Sequence, residues 1–487
     1  MAYRRGENLE QMTLFPQTLD EYVPTDHPVR AYVAFVDTLD FDELGIKIED
    51  SKVGNSEYYP KTMLTLLLYG YSYGIKSSRK LERAVHDNIS FVWLMKKLTP
   101  DHKTISEFRR RNKAAIKNTI KLCARLCLKL DLIEGNILFI DGTKMRANAG
   151  RRRNYTVEWY KEQEKELDSR IDKLLKECED IDQAEAGAGS MVKMRKDLAA
   201  AGRLKEEVRK AVEEIKNAGA KTVNGKDRTI NLTDPDSRLM KSVQGSHASY
   251  NVQNVVDDKH GLIVTTEATS DASDVKQFAR QVEQAEETLE KQCNVASGDS
   301  GYANTEELEK VYEKGTQVVV PSRRQAKRTP AKQFDKSEFK YDSESNSYSC
   351  PEGERLIYSG KKAKGSKLVY RITNKDICHS CKHYGICTES KKGRKIIRLA
   401  KEKTKEKIER FYETPEAQEI YSRRKERAEH PFGHIKRNLG LTNFSLRGRL
   451  GAQAEISICA TCFNVVRMIT IFGGVAGFIE RMKQQIV

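Results

Sequence analysis

The sequence predicts an α/β protein in which a sheet is interrupted by insertions and preceded by an all-helical region. Three observations predict it. Short β-branched apolar runs (NILFID, YNVQNVVDD, LIVTTEAT, QVVVP) alternate with helical patterns in the order strand, strand, helix, strand. Helical periodicity fills the chain from His27 to Leu132. Two tracts fit neither the alternation nor the first region: a charged helical one between Thr156 and Gly219, and a polar, lysine-rich one from Phe334 to Leu399 that carries grouped cysteines. At 487 residues the chain exceeds what one core normally supports, so several domains or large insertions are expected.

Taken in order, residues 1–132 read as a helical, DNA-binding domain. Pro60 stands near a helix start in YYPKTMLTLLLYGYSYG, where a proline without its N–H costs nothing. In KTISEFRRRNKAAIKN, Thr104 and Glu107 have capping-box spacing, and the helix presents Arg109, Arg110 and Arg111 as candidate contacts to a DNA backbone. Residues 133–150 hold the strand NILFID, which ends at Asp141. Residues 151–245 read as an inserted helical hairpin broken at AEAGAGS, either a spacer or a coiled-coil arm for a second copy. Residues 246–330 resume the sheet: two strands join at Lys259-His260-Gly261, a helix follows near Val275 to Lys291, and an apolar run ends at Asp299. Residues 331–402 form a small cysteine-rich module. Residues 403–487 begin a helix with Thr414 as N-cap and Pro415 at its first position, and end in the apolar helix ISICATCFNVVRMITIF.

Charge narrows the partner. The 86 Lys and Arg outnumber the 70 Asp and Glu, giving a formal charge of +16, and a polyanion is the natural ligand. No apolar stretch follows the first arginines, so no secretory signal is read. The uncharged stretches Thr62–Ile75 and Met468–Ile479 fall short of the roughly 18 apolar residues of a spanning helix, so no membrane partner is expected. Ten cysteines are too sparse for a disulfide scaffold. No Walker loop, GxSxG elbow or Cys/His nucleophile pair is present, which argues against ATP-driven and acyl-transfer chemistry.

The candidate chemistry lies in three acids. Alone, Asp141 and Asp299 read as turn formers at strand ends. They gain meaning if the sheet brings the strand ends together beside a helix, because hard oxygen ligands then suit Mg2+ or Mn2+. Phosphodiester attack requires an activated hydroxyl and a neutralised leaving oxygen, which two ions about 3.5 to 4 Å apart supply. The blocks FIDGTK, SGDSGYAN and YSRRKERAEHPFGHIK, in that order, resemble the signature blocks of DDE insertion-sequence transposases, and PKTMLTLLLYGYSYGIKSSRKLE with ISEFRRRN resembles the helical domain preceding the core in one branch of them. The resemblance implies an RNase H-like mixed-sheet core, catalytic Asp141, Asp299 and Glu429, and strand cleavage and transfer at terminal repeats. It also implies double-stranded DNA partners, a homodimer or higher oligomer, and a bacterial cytoplasmic, nucleoid-associated location.

The third block departs from the family pattern, which is Tyr, two residues, Arg, three residues, Glu, six residues, Lys. Glu429 and Lys436 keep their spacing, but Arg424 stands one position too far from Glu429 and Lys425 occupies the residue four before it. On an α-helix Tyr421, Lys425 and Glu429 share a face, which favours Lys425 as the phosphate contact over Arg424. Pro431 predicts a kink at His430, and Glu426, without the spacing to Lys436, is the competing acid. In the cysteine-rich module, Cys350, Cys378, Cys381 and Cys387 suit a structural Zn2+ site, with His379 and His383 as substitute ligands, and KKAKGSK and KKGRKIIR beside them suggest DNA contact. Cys123, Cys127, Cys459 and Cys462 read as core. Two alternatives remain: a catalytically inactive, transposase-derived DNA-binding protein, and another RNase H-like nuclease.

Overall fold

The computed structural model describes residues 18–48, 57–183, 188–219, 227–242, 245–327, 333–362 and 367–486. The break expected at AEAGAGS and the lysines of KKAKGSK fall partly outside them. The chain divides into two compact units. The first comprises Met1–Ile133, Gly142–Ala272 and Glu429–Val487; the second comprises Glu134–Asp141 and Ser273–Ala428. These units cut across the six expected segments, because the N-terminal helices share a core with parts of the chain hundreds of residues away.

At the centre of the first unit is the helix Arg449–Ile471, with unbroken burial from Gly451 to Val465. A helix apolar all round must be enclosed all round. The helices Pro60–Ser72 and Lys113–Lys129 pack on it, and Thr119 meets Thr461 at 3.2 Å while Cys127 Sγ lies 3.5 Å from Met468 Sδ. Cys123, Cys127, Cys459 and Cys462 are buried. By length and composition this helix is long and apolar enough to cross a membrane, and 72% of its most apolar stretch is buried inside the protein.

Strand β1 (Ile137–Arg146) does not stop at Asp141 but runs five residues further, so its two ends belong to different units. In the first unit β2 (Arg238–Ser242) pairs antiparallel with the start of β3 (Gly245–Asp257), whose later part pairs antiparallel with β4 (Ile263–Thr269). The buried amides of the central helix then satisfy backbone groups of β4. Asn464 accepts from Ile263 N–H and donates to its carbonyl, and Gln453 accepts from Ala268 N–H and donates to the Thr266 carbonyl. Such pairing spares the strand edge the cost of unsatisfied buried groups. The inserted hairpin is two long helices, Val157–Gln183 and Ala188–Ala218, joined by a small core of Tyr160, Leu167, Val208, Ala211 and Ile215.

In the second unit Ile137–Phe139 of β1 pairs in parallel with β5 (Val295–Ser297), which pairs in parallel with β6 (Gln317–Val319). Phe139, Val295 and Val319 pack against Tyr412, Ala417 and Ile420 of the helices Glu402–Tyr412 and Pro415–Arg424. Thr414 caps the second of these through Ala417 N–H, with Pro415 in its first turn, as expected. The cysteine-rich module is a five-stranded antiparallel sheet, β7 (Lys340–Asp342), β8 (Ser347–Ser349), β9 (Arg355–Lys362), β10 (Lys367–Ile372) and β11 (Lys395–Leu399), each strand beside the next. The chain is therefore mixed α/β, with parallel strand pairs in one unit and antiparallel pairs in both.

Candidate active site

Parallel pairing sets Phe139 opposite Ser297, and Asp141 and Asp299 each stand two residues beyond that pair. Neighbouring strands lie about 4.8 Å apart; Asp141 continues along β1, whereas Asp299 lies just past the end of β5. Asp299 caps the short turn Ser300–Tyr302, its Oδ1 accepting from Gly301 N–H at 2.8 Å. The block SGDSGY packs tightly here: a Cβ at Gly301 would stand 2.8 Å from that oxygen, and one at Gly298 would press on Tyr302 and Phe278. The ring of Tyr302 is buried, 6.0 Å from Phe278. Burial, and then the charges of Asp274, Asp141 and Asp299, raise its phenol well above the ordinary range. Sequence reasoning passed over this tyrosine, although the DSGY block contained it.

Arg424 reaches Asp141, its Nη1 lying 3.5 Å from Asp141 Oδ1, with the two side chains 12% and 16% exposed. Lys425, preferred from helical spacing, is exposed. The physical reason lies in the backbone. Lys425–Glu429 is a π-helical turn, not the continuation of the α-helix that the spacing argument assumed. A π-turn bonds residue i to i+5 and absorbs one extra residue, so residues five apart recover the relation that residues four apart have in an α-helix. The additional residue between Arg424 and Glu429 is taken up in this turn, and Pro431 sits in the first turn of the helix that follows, His430–Arg437. Glu429 is exposed and Glu426 pairs with Arg427 at 3.1 Å. Lys436 donates to Thr143 Oγ1 at 2.6 Å, which fixes it beside β1. Tyr421 is half buried, packs on Tyr412 at 5.2 Å, and lies under the Arg424 guanidinium at 5.7 Å.

The three arginines of the N-terminal helix separate. Arg109 is buried and donates to the Tyr71 hydroxyl, the Lys76 carbonyl and the Ser78 hydroxyl. This corrects its reading as a DNA contact: the guanidinium ties helices together. Arg110 and Arg111 are exposed and both clamp Glu107, whose carboxyl the Arg110 guanidinium, aided by Arg111, draws down to about 2. The cap of that helix is Asp101, accepting from Thr104 N–H, so the expected Thr104–Glu107 box does not form.

Cys350, Cys378, Cys381 and Cys387 line one cavity of about 50 Å3 with His383. Burial raises the Cys387 thiol, Arg394 opposes the shift, and the other three thiols add to it. Cys378 Sγ accepts from Arg394 N–H at 3.4 Å, while His383 is engaged with Glu352 at 3.0 Å. Among the described residues no three His, Cys, Asp or Glu side chains are drawn together closely enough to form a metal-holding group, at the cysteines or at the aspartates. A separate groove of about 900 Å3, lined by Arg323, Lys336, Tyr348, Arg398 and Glu402 among others, contains neither aspartate.

Residues 17–111 match the family model described as a transposase domain (DUF772), and residues 349–469 match that of a transposase DDE domain. The second range includes the four cysteines, Arg424, Glu429 and Lys436; Asp141 and Asp299 lie outside both. Each match covers less than half of the chain, and the two liken its N-terminal helical part and its C-terminal part to transposase domains. No curated protein matches the chain. Among solved structures, the chain is similar to the piggyBac transposase in a cryo-EM synaptic complex with hairpin DNA, at 9% identity and a TM-score of 0.32, over 94% of this chain and 79% of that one.

Proposed function

We propose that this chain cuts and rejoins double-stranded DNA at the terminal inverted repeats of a bacterial insertion sequence, with Asp141, Asp299 and Glu429 as its catalytic carboxylates on an RNase H-like core. The observation that carries the reading is the pair of aspartates standing two residues beyond matched positions on adjacent parallel strands, with Arg424 beside the first.

The donor set suits a divalent ion. Asp141, within β1, and Asp299, in the turn after β5, offer hard carboxylate oxygens, Asp299 is oriented by Gly301 N–H, and the buried Tyr302 keeps its proton. Mg2+ or Mn2+ held by these acids and Glu429 would lower the pKa of a water or 3′-hydroxyl and neutralise charge at the leaving oxygen. The protein's own residues orient and shield. Arg424 offsets the carboxylate charge and presents N–H donors suited to a phosphate oxygen, and Lys436, steadied by Thr143, adds a second cation. The active form is a homodimer or higher oligomer in which two DNA ends pair. Cys350, Cys378, Cys381 and Cys387, which line one cavity, are the residues that would hold a structural Zn2+, thiolates being the donors such an ion prefers.

Purified protein with Mg2+ or Mn2+ and labelled DNA carrying the element's ends tests the reading. Cleavage and strand transfer are expected, and Asp141→Ala, Asp299→Ala or Glu429→Ala each abolishes them while DNA binding persists. Cleavage that survives all three substitutions overturns the assignment; binding without metal-dependent cleavage by the unaltered protein leaves the inactive DNA-binding alternative. Loss with Glu426→Ala but not with Glu429→Ala moves the third acid. Metal analysis expects about one zinc per chain, absent from Cys378→Ser.

A further inference from the structure

Two arginine turns, far apart in sequence, are fastened to one short loop of the first unit. The first is Arg151-Arg152-Arg153, and the second is Arg447-Gly448-Arg449; all five arginines are exposed. The loop is Asn231-Leu232-Thr233-Asp234-Pro235-Asp236. Asn231 donates to the Gly150 carbonyl at 2.9 Å, Leu232 N–H bonds the Arg153 carbonyl at 2.9 Å, and Asn154–Tyr155 pairs antiparallel with Ile230–Asn231. Two residues on, Asp234 Oδ1 accepts from Gly448 N–H at 3.2 Å, and Asp236 Oδ2 accepts from Arg449 N–H at 2.7 Å. Two residues of extended chain span about 7 Å at most, so the anchors of the two turns are near neighbours.

The fastening is built from buried polar groups. Asp234 is fully buried, is held by the Tyr250 hydroxyl at 2.7 Å, and its carboxyl is raised from the ordinary range by burial. Asn231, also fully buried, closes the turn through Thr233 N–H and Asp234 N–H. A second stitch joins the same segments: Asn148 donates to the Ser445 carbonyl, and Phe444 N–H bonds the Arg146 carbonyl. Asp234 Oδ1 thus accepts from both the Tyr250 hydroxyl and Gly448 N–H, the second bond holding the Arg447–Arg449 turn at this loop. Among the described residues none of Arg151, Arg152, Arg153, Arg447 and Arg449 forms an ion pair, unlike Arg110 and Arg111 with their Glu107. The helix Arg449–Ile471 starts within the second turn, so its positive N-terminal dipole adds to the same potential.

We propose that these five arginines form a single face that binds the backbone phosphates of duplex DNA, with the loop Asn231–Asp236 as the clip that holds its two halves together. The proposal rests on the DNA-processing reading above and adds to it a surface made from neither strand-end carboxylate. Unpaired guanidiniums are suited to phosphate oxygens, and counterion release makes such binding steeply salt-dependent.

The test is fluorescence anisotropy of the full-length protein on a labelled duplex across a salt series, with Arg151→Ser/Arg152→Ser/Arg153→Ser and Arg447→Ser/Arg449→Ser. Each variant is expected to bind about ten-fold or more weakly, with a log K against log salt slope reduced by about one for every phosphate no longer neutralised. Thermal midpoints matching the unaltered protein establish that folding is intact. Unchanged affinity and slope in both folded variants overturn the proposal, loss confined to one turn overturns the single face, and tighter binding to single-stranded RNA of equal length overturns the choice of partner. Asp141→Asn separates this from the catalytic reading: that variant is expected to bind as before and not to cleave, so the arginine face can fail while cleavage stands, and the reverse.

Discussion

Arg424 and Asp141 lie 3.5 Å apart with both side chains largely enclosed, whereas Lys425 is out in solvent. Low effective dielectric around the enclosed pair makes the arginine matter where the exposed lysine is screened. Arg424→Ala is expected to lower the metal-dependent cleavage rate about 100-fold, a loss of the size seen when one preorganised donor is removed from an active site; Lys425→Ala should stay within a few-fold, and single-turnover rates on end-labelled DNA check both. His434 offers a separate measurement at this scale. Burial, with the neighbouring His430, holds its imidazole below the ordinary 6.5, and it packs on the Phe463 ring at 5.3 Å. The unfolded chain then binds the proton more readily than the folded one between the depressed value and 6.5, so stability rises with pH through that window and is lost on acidification. The thermal midpoint should fall between pH 7.5 and 5.5, and fall less in His434→Gln.

Between Arg424 and Glu429 the helix carries its one π-turn among the described residues, and the turn takes up the residue by which their spacing exceeds four. Deleting Lys425 would return the stretch to α-helical spacing with four positions separating Arg424 from the glutamate. Inserting an alanine after Lys425 would rotate everything beyond it by roughly 100°. The deletion is expected to retain measurable cleavage and the insertion to abolish it, with circular dichroism confirming that both variants fold. Equal loss in the two would remove the register argument. The same element carries Lys436 on to Thr143, so the insertion should also release that hydrogen bond.

At the scale of the molecule, the N-terminal helices depend on residues that follow them by more than three hundred positions. Tyr71 donates to Glu455 at 2.8 Å and receives Arg109, while Glu455 also accepts from Ser445 and Leu446 N–H. Tyr71, Arg109 and Glu455, the last on the helix Arg449–Ile471, are all buried. A fragment of residues 1–132 is accordingly expected to lack cooperative unfolding in calorimetry, although its helices read as a domain. In the full chain Tyr71→Phe leaves a buried carboxylate and a buried guanidinium each one partner short, at a cost of about 1–3 kcal/mol in denaturant unfolding. A folded, cooperative fragment would show that the shared core is dispensable.

The alternation of apolar runs, Pro60, Thr414 and Pro415, and the blocks around Asp141 and Asp299 were readable because each rests on local chemistry: β-branched packing, a missing N–H, a side-chain cap, a carboxylate at a strand. Periodicity likewise announced the buried cysteines and the long charged hairpin. What sequence by itself decided was therefore the kind of each element and the identity of the candidate acids. That the strands leading to Asp141 and Asp299 lie side by side was decided by the parallel register of β1 and β5, a non-local pairing with no trace in either segment alone. The tertiary structure also set Arg424, and not Lys425, beside Asp141, since a π-turn breaks the spacing on which helical arithmetic depends, and it took Arg109 out of solvent because Tyr71 and the Lys76 carbonyl waited for it. Local propensity is written residue by residue; the partner across the core is not, and partners determine which charges remain available for chemistry.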